Sequence, residues 1–321
     1  MQSVSKSIYR GKLLGSLPAV GEIHKEIAVS EETVTWISLQ REIIANILLG
    51  KDPRLLVIVG PCSIHDVQAA VEYAKRLSVL QNKYLSQMYI VMRTYFEKPR
   101  TRKGWKGIMH EPDLNGSYNV EKGIRYARQC LSSITTMRVA TATEFLDPFL
   151  TPYIADLICW GAVGARTTES QTHRQLASGL HCPVGFKNST DGNINLAIDA
   201  ILAAREQHVV YMTSLTKCIS TLLTDGNPHG HLILRGGREP NYGLSDITKA
   251  VKLMHDEGIN HRLIIDCSHG NSGKVAERQI SVAREVIDNR KKMPGYVAGI
   301  MLESFLDRKS TRLNSSHLEQ S

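Results

Sequence analysis

The stretch LLVIVGPCSIHD, residues 55–66, decides how the chain folds. Its first part is an unbroken aliphatic run of strand length, which is typical of a strand buried on both faces of a parallel sheet. The run stops at a glycine and a proline. Asp66, a residue type favoured at helix N-caps, then precedes a segment with helical periodicity. The stretch therefore predicts a strand, a turn that carries Cys62 and His65, and a helix.

Runs of this kind recur along the 321-residue chain and alternate with segments of helical periodicity. Including the first, the predicted strands are 55–60, 89–93, 139–145, 157–165, 183–187, 231–235, 262–266 and 297–303. The segment 209–223 is predicted to be a hairpin inserted before the sixth strand. Eight alternating units favour a closed (β/α)8 TIM barrel over an open sheet, and the chain exceeds the roughly 250 residues that such a barrel needs.

The composition, 42% hydrophobic and 22% charged residues, is that of an ordinary globular protein. No apolar run approaches the roughly 20 residues needed to span a bilayer, and no secretory signal is recognisable, so we expect a cytoplasmic protein without membrane partners. Six cysteines in so long a chain predict thiols rather than a disulfide framework. The net charge of +8 is compatible with binding of nucleic acid or of small anions. Nucleic acid is disfavoured, because we find no basic helical stripe, no interleaved stacking aromatics and no zinc-finger spacing.

The chain is predicted to have three parts. Residues 1–50 form an N-terminal extension, whose segment 31–50 has the pattern of an amphipathic helix ended by Gly50. Residues 51–306 form the barrel. Residues 307–321 are rich in Ser, Arg and Asn and have no apolar period, so we interpret them as a non-native tail and expect the barrel to lack its last helix.

Charged or reactive side chains stand where the predicted strands end. They are Cys62, Arg93, Glu144, Arg166, Lys187, Arg235, His269 and Glu303, with Lys98 and Arg100 shortly after the second strand. A barrel gathers its strand ends around one mouth, so we expect these side chains to form one site. Because cations outnumber carboxylates there, the ligand should carry several negative charges, such as phosphates. The amides of Gly236 and Gly237 are expected to share a phosphate with Arg235.

Besides Glu144, three residues at the mouth are not cations: Cys62, His269 and Glu303. They follow the first, seventh and eighth strands, which become neighbours when the barrel closes. A thiolate, an imidazole and a carboxylate in one place suit a divalent metal. The alternative is a buried thiol beside a packed histidine. His65 is expected to point into the first helical turn beside Asp66 rather than to act with Cys62.

Several longer motifs carry a resemblance to a known family. They are GPCSIHD (60–66), MRTYFEKPRT (92–101), ATEFLD (142–147), GARTTESQ (164–171), PVGFKN (183–188), HLILRGG (231–237) and DCSHGNS (266–272). In this order they closely resemble the microbial type I 3-deoxy-D-arabino-heptulosonate 7-phosphate (DAHP) synthases, from about residue 8 to Leu306. The resemblance implies a barrel enzyme that condenses phosphoenolpyruvate with erythrose 4-phosphate. It implies dependence on a divalent metal (Mn, Fe, Co or Zn) and a place at the first step of the shikimate pathway, which leads to chorismate and the aromatic amino acids.

The same resemblance implies a role for each matching residue. Phosphoenolpyruvate would be bound by Arg93, Lys98, Arg166, Lys187 and Arg235. Erythrose 4-phosphate would be held by Lys98, Pro99, Arg100 and Thr101. The metal would be held by Cys62, His269 and Glu303, and Glu144 would lie near the attacking water. We interpret Lys98 as the proton donor to the new alkoxide.

The family's fourth metal ligand is an Asp beyond MLES (301–304), and Asp307 is placed too early to match it. We therefore expect weakened metal binding and impaired activity. A non-enzyme that only binds anions or joins intact subunits is the resulting alternative. A related synthase acting on arabinose 5-phosphate is a second alternative, but KPRT and the loop GWKGIMHEPDLNGSY (104–118) favour erythrose 4-phosphate.

The resemblance also implies regulation and assembly. The N-terminal extension would help to build a homodimer or homotetramer. It would also form a pocket for Phe, Tyr or Trp as feedback inhibitor, together with Pro152, Leu180 and His181. The alternative for the helix at 31–50 is a plug at the bottom of the barrel.

Overall fold

The computed structural model describes residues 10–216 and 218–306. Its strands are β1 (Leu55–Gly60), β2 (Met88–Arg93), β3 (Ala140–Glu144), β4 (Trp160–Val163), β5 (Val184–Lys187), β6 (Val209–Thr213), β7 (Ile219–Leu223), β8 (Gly230–Leu234), β9 (Leu263–Asp266) and β10 (Val297–Glu303). Its helices are α1 (Val20–Glu26), α2 (Glu31–Leu48), α3 (Val67–Lys83), α4 (Val120–Thr136), α5 (Gln171–Ser178), α6 (Asn195–Arg205), α7 (Leu244–Asp256) and α8 (Arg278–Lys292). Two short 3-10 turns, Thr151–Tyr153 and Ala155–Leu157, connect β3 to β4.

The strands other than β6 and β7 close into a parallel barrel in the order β1-β10-β9-β8-β5-β4-β3-β2. The (β/α)8 class predicted from the sequence is therefore confirmed. β6 and β7 form a separate antiparallel hairpin, as predicted for 209–223. The predicted strand 157–165 was too long, because its first residue still belongs to a 3-10 turn and β4 begins only at Trp160.

The interior of the barrel is filled by side chains rather than by solvent. Trp160 is completely buried, and its indole Nε1 donates a hydrogen bond to His231 Nε2 at 3.1 Å. Gly185 makes room for this ring, since a Cβ there would lie 2.8 Å from an indole carbon. A barrel packed in this way has no channel, so ligands must bind at its ends.

Helix α2 lies across the amino-terminal ends of the barrel strands. Its Arg41 donates hydrogen bonds to the carbonyls of Ala155 and Ile158, shortly before β4, each at 2.9 Å. The carbonyl of Leu48 accepts a hydrogen bond from the amide of Arg262, directly before β9, at 2.8 Å. The helix thus covers the bottom of the barrel and leaves the carboxyl-terminal mouth open.

No helix in residues 10–216 and 218–306 is long and apolar enough to cross a membrane. The predictions for 307–321, including the tail and the missing last helix, lie outside the described residues.

Three histidines lie near the bottom of the barrel. Burial lowers the pKa of His231 to about 3. His261 is 8% exposed, neither of its ring nitrogens has a hydrogen-bond partner in the described part of the chain, and its ring lies 6.0 Å from that of His229. Burial, His229 and Arg205 together lower the pKa of His261 to about 4. These rings are therefore neutral in the folded protein at neutral pH.

The low pKa of His261 predicts a loss of stability in mild acid. The unfolded chain protonates this ring near its ordinary pKa and the folded chain only near 4, so protons favour unfolding as the pH falls from 6.5 towards 4. We expect His261→Asn to reduce the drop in unfolding free energy between pH 7 and pH 5 by about 1 kcal/mol, allowing for partial solvent screening.

The measurement is urea unfolding of each variant at both pH values. His255→Asn, a change of an exposed histidine on α7, serves as the control and should keep the drop of the wild type. An unchanged drop in His261→Asn would contradict the assignment.

Candidate active site

A cavity of about 470 Å³ opens at the carboxyl ends of the barrel strands. It brings together the predicted residues Cys62, Arg93, Lys98, Pro99, Arg100, Glu144, Arg166, Lys187, Arg235, His269 and Glu303. Thr101 is exposed and lies outside this lining. Residues from distant parts of the chain thus form one continuous surface, as closure of a parallel barrel requires.

Arg93, at the end of β2, is the most deeply buried cation of the cavity, with 1% of its surface exposed. Its guanidinium donates hydrogen bonds to Pro61 O and to Glu303 Oε1, both at 3.2 Å, and stacks 4.0 Å from the centre of the Tyr95 ring. Burial alone would lower the pKa of Arg93. The electrostatic effects of Tyr95, Glu303 and Asp266 outweigh burial and hold this pKa above its ordinary value. Arg93 is therefore a permanent, fixed cation.

Asp266, at the end of β9, is completely buried behind the cavity and joins two parts of the site. Its Oδ2 accepts a hydrogen bond from Lys187 Nζ at 2.9 Å and lies 2.9 Å from His269 Nδ1. Its Oδ1 accepts hydrogen bonds from the backbone amide (3.0 Å) and the hydroxyl (2.6 Å) of Ser268. Burial would raise the pKa of Asp266, but His269 and Lys187 hold it well below its ordinary range. Asp266 therefore remains an anion that fixes both neighbours.

His269 is held in an uncommon conformation, with a backbone φ of +53°. A carboxylate can only accept, so the ring nitrogen that faces Asp266, Nδ1, carries a hydrogen. In the neutral ring Nε2 then keeps its lone pair, and it lies 3.8 Å from Glu303 Oε1. The imidazole thus presents Nε2 to the cavity, which is the orientation that a metal ligand requires.

Cys62 lies in the turn after β1, half-buried, and Lys98 Nζ donates a hydrogen bond to its sulfur at 2.7 Å. Burial raises the pKa of the Cys62 thiol, and Glu303 adds to this effect, although Lys98 and Arg93 oppose it. Lys98 therefore reaches from the loop after β2 across to the first strand.

The donor atoms of Cys62, His269 and Glu303 are a sulfur, an imidazole nitrogen and a carboxylate oxygen, a set that suits a divalent transition metal. Within residues 10–216 and 218–306, no three or more His, Cys, Asp or Glu side chains are grouped closely enough to hold a metal as they stand. Two of the donors have other partners, since Lys98 contacts the sulfur and Arg93 contacts Glu303 Oε1. The donor set fits a metal in kind, and binding would exchange these contacts.

Arg166 and Arg235 add positive charge to the opposite wall. In the described residues each guanidinium donates only to a backbone carbonyl, that of Pro99 (3.3 Å) for Arg166 and that of Gly236 (3.2 Å) for Arg235. Burial lowers the pKa of Arg235, and the neighbouring Arg166 contributes to the same shift. This wall is therefore a region of positive charge without a paired carboxylate in contact with it.

The glycines after Arg235 do not act as predicted. The amide of Gly236 donates to Asn241 Oδ1 at 2.7 Å, and the amide of Gly237 donates to Glu239 O at 2.9 Å. The prediction that these amides share a phosphate with Arg235 is wrong, because hydrogen bonds within the loop already use both of them.

Some residues of the site were not predicted. Tyr95, Thr190 and Lys274 line the cavity, and Asp266 supports it from behind. Tyr95 could have been found, since it lies two residues after Arg93 and alternate residues of an extended segment face the same side. Thr190 and Lys274 lie in loops whose path the sequence pattern does not define.

His65 lies outside the cavity lining. Its ring packs edge-on against Phe305, with 5.9 Å between the ring centres. Asp66 caps α3, because its Oδ1 accepts a hydrogen bond from the Ala69 amide at 3.0 Å. The prediction of a helix cap is confirmed.

The residues predicted to be regulatory lie away from the mouth. Pro152 lies in a 3-10 turn, and its carbonyl oxygen is 3.1 Å from His24 Nε2 of α1. Leu180 is half-buried against the core, whereas His181 is exposed and lines a separate cavity of about 570 Å³ beside α2. Pro152 and Leu180 are not part of the lining of that cavity.

A cation-lined mouth on a (β/α)8 barrel is suited to anionic ligands, and comparison with known proteins narrows the class of protein. Residues 26–319 match the model of the DAHP synthetase I family. The Trp-sensitive phospho-2-dehydro-3-deoxyheptonate aldolase of Enterobacter agglomerans is 50% identical over 302 residues, which cover 94% of this chain and 87% of the relative. The protein of that name from Escherichia coli K12 is 48% identical, over 94% of this chain and 86% of its own. The solved structure of phospho-2-dehydro-3-deoxyheptonate aldolase from Francisella tularensis has a TM-score of 0.88 and 43% identity, covering 92% of this chain and 86% of the other.

The chain belongs to the DAHP synthetase I family. The resemblance to type I DAHP synthases and the prediction of a transferase-type enzyme are both confirmed.

The pairing of Lys187 with Asp266 predicts a large, non-additive effect on stability. Asp266→Asn leaves the Lys187 ammonium buried without its anion, so we expect the free energy of unfolding to fall by about 3–5 kcal/mol. Adding Lys187→Met to this variant removes the buried charge and should recover part of the loss.

Denaturant unfolding of both single variants and the double variant measures this coupling. Asp288→Asn is the matched control, since Asp288 pairs with Lys291 at the same distance, 2.9 Å, but on the exposed surface. It should change stability by less than about 1 kcal/mol. Additive losses in the double variant would show that the buried pair is not coupled.

Proposed function

We propose that this chain condenses phosphoenolpyruvate with D-erythrose 4-phosphate to give DAHP and inorganic phosphate, the first step of the shikimate pathway. The observation that carries the proposal is the cavity in which Arg93, Lys187, Arg166 and Arg235 converge. Phosphoenolpyruvate carries a phosphate and a carboxylate close together and so matches several fixed cations at short range. Family membership and the names of the relatives support the same reaction.

The depth of the cations suggests how the two substrates divide the cavity. Lys187 and Arg93 are 4% and 1% exposed and would hold phosphoenolpyruvate at the inner end with Arg166 and Arg235. Lys98, Pro99 and Arg100 lie on the loop after β2 and would hold the aldose phosphate nearer to solvent, and Lys98 would also contact phosphoenolpyruvate. Thr101 would join them only by turning inward, because it is exposed.

The bond changes require a proton donor and a place for water. Carbon 3 of phosphoenolpyruvate attacks the aldehyde carbon, and Lys98 would give a proton to the oxygen that becomes a hydroxyl. Water adds to carbon 2, and the carbon–oxygen bond to phosphate then breaks to leave the ketone. Glu144 would orient that water, and Gly164 admits its carboxylate to the cavity, since a Cβ there would lie 2.0 Å from Glu144 Oε1.

A divalent metal, Mn, Fe, Co or Zn, would be held by Cys62, His269 and Glu303 and would polarise the aldehyde carbonyl as a Lewis acid. Asp266 would keep His269 in the tautomer that offers Nε2. Lys98 would leave the sulfur of Cys62 on metal binding and would then be available to the substrates.

We also propose that an aromatic amino acid inhibits the enzyme, with tryptophan the first candidate because the relatives named above are Trp-sensitive. Pro152, Leu180 and His181 are the proposed regulatory residues. The N-terminal extension reaches this region, since Tyr153 donates a hydrogen bond to Pro18 O at 2.6 Å. Adding tryptophan, phenylalanine and tyrosine in turn to the activity assay identifies the inhibitor.

We further propose a cytoplasmic homodimer or homotetramer, divided into an extension (1–50), a catalytic barrel (51–306) and a C-terminal segment (307–321). The amide of Gly21 donates to Leu215 O at 2.9 Å, so the extension and the β6–β7 hairpin are joined. Tyr211 and Ile219 on this hairpin are 69% and 67% exposed, as expected of a surface that another subunit covers.

The activity predicts a dependence on metal and on Arg166. We expect phosphoenolpyruvate to be consumed only with erythrose 4-phosphate and manganese, and a chelator to abolish turnover. Arg166→Ala should lower kcat/KM by roughly 100-fold, because one of the groups that hold the developing phosphate is lost.

Phosphoenolpyruvate consumption and phosphate release are measured together. Arg284→Ala, at an exposed arginine of α8, is the control and should retain full activity. Faster turnover with arabinose 5-phosphate would indicate the related synthase. Binding of anions without turnover under every metal condition would indicate the non-enzyme.

A further inference from the structure

Tyr95 differs from other buried tyrosines of the chain in its hydroxyl. Its side chain is 2% exposed and lines the cavity, yet the hydroxyl has no hydrogen-bond partner in the described residues. By contrast, the Tyr89 hydroxyl donates to Gln40 Oε1, and the Tyr153 hydroxyl donates to Pro18 O. The unpaired hydroxyl therefore belongs to a residue of the cavity wall, and its oxygen is itself buried.

The ring of Tyr95 is fixed on two sides. Its backbone carbonyl accepts a hydrogen bond from the Ile64 amide at 2.8 Å, and the Arg93 guanidinium stacks on the ring at 4.0 Å from its centre. These contacts hold the backbone and the ring of Tyr95 in place.

Charged groups of both signs surround the phenol. Arg93 and Lys187 act on it as cations, and Glu144 and Asp266 act as anions. Burial raises the pKa of Tyr95 and outweighs the effect of the two cations, so the hydroxyl keeps its hydrogen at neutral pH. It is a preformed donor next to the groups that hold an anion.

An unpaired buried donor destabilises a protein, and native structures keep one mainly where a ligand or an ordered water completes it. A cavity with several fixed cations selects ligands with anionic oxygens, which are the strongest acceptors for a hydroxyl. A ligand oxygen therefore accounts for both the missing partner and the position of Tyr95.

We propose that Tyr95 is a substrate-contacting residue whose hydroxyl donates a hydrogen bond to an anionic oxygen of phosphoenolpyruvate. The assignment rests on the proposed function and adds a neutral donor to the cations that hold this substrate. A carboxylate oxygen and a phosphate oxygen offer the same chemistry, so pyruvate and inorganic phosphate serve as probes that separate the two.

Tyr95→Phe tests the proposal, with Tyr89→Phe as the matched control. Without substrate, Tyr95→Phe should melt at the temperature of the wild type or above it, since it removes an unpaired donor. Tyr89→Phe should melt lower, since it breaks the bond to Gln40. With phosphoenolpyruvate alone, Tyr95→Phe should bind roughly tenfold to a hundredfold more weakly than the wild type, and Tyr89→Phe should bind like the wild type.

Calorimetric titration of the full chain measures the affinities, and thermal unfolding measures the stabilities. A loss of affinity for pyruvate but not for phosphate assigns the carboxylate, and the reverse assigns the phosphate. Unchanged phosphoenolpyruvate affinity in Tyr95→Phe, with a lowered melting temperature, would overturn the proposal and show a partner within the fold. Failure of the wild type to bind phosphoenolpyruvate would instead overturn the proposed function, and this assignment with it.

Discussion

The pairing of β1 with β10 is the constraint on which the site depends. Gly60 lies opposite Glu303 in this pairing, and the amide of Ser304 continues it by donating to Gly60 O at 2.8 Å. Closure places Cys62, which follows β1, and Glu303, which ends β10, in the wall of one cavity. Without this pair of strands the cations of β2, β5 and β8 would lie along an open sheet edge, and no enclosed anion site would form.

Closure of the barrel brings several cations together, and carboxylates pair with only some of them. Asp266 neutralises Lys187, and Glu303 pairs with Arg93, each through direct contact. The opposite wall, with Arg166 and Arg235, has no such partner among the described residues. Part of the positive charge at the mouth is therefore in position before a ligand binds. Such a preorganised arrangement of charge favours reactions of anionic substrates.

The sequence predicted the barrel well because buried parallel strands appear as apolar runs, and it predicted the mouth because each run ends in a chemically distinctive residue. It failed where a side chain's partner comes from a distant loop. The side chain of Asn241 accepts a hydrogen bond from the Gly236 amide, and no local sequence pattern indicates this contact. The sequence pattern identified Asp266 only as the last residue of a strand. Its hydrogen bond with Lys187 could not be predicted, because it forms only once β5 and β9 are both in the barrel. The spacing of Cys62, His269 and Glu303 was likewise not predictable, because Lys98 and Arg93 decide where the donor atoms lie.

We propose that the strand ends form one binding site for phosphoenolpyruvate. A crystal structure of the full chain grown with phosphoenolpyruvate and manganese tests it most directly. The account predicts density for the substrate inside the barrel mouth, with its anionic oxygens within hydrogen-bond distance of Lys187, Arg166 and Arg235. Density for the substrate elsewhere on the protein, with the mouth holding only solvent, would contradict it.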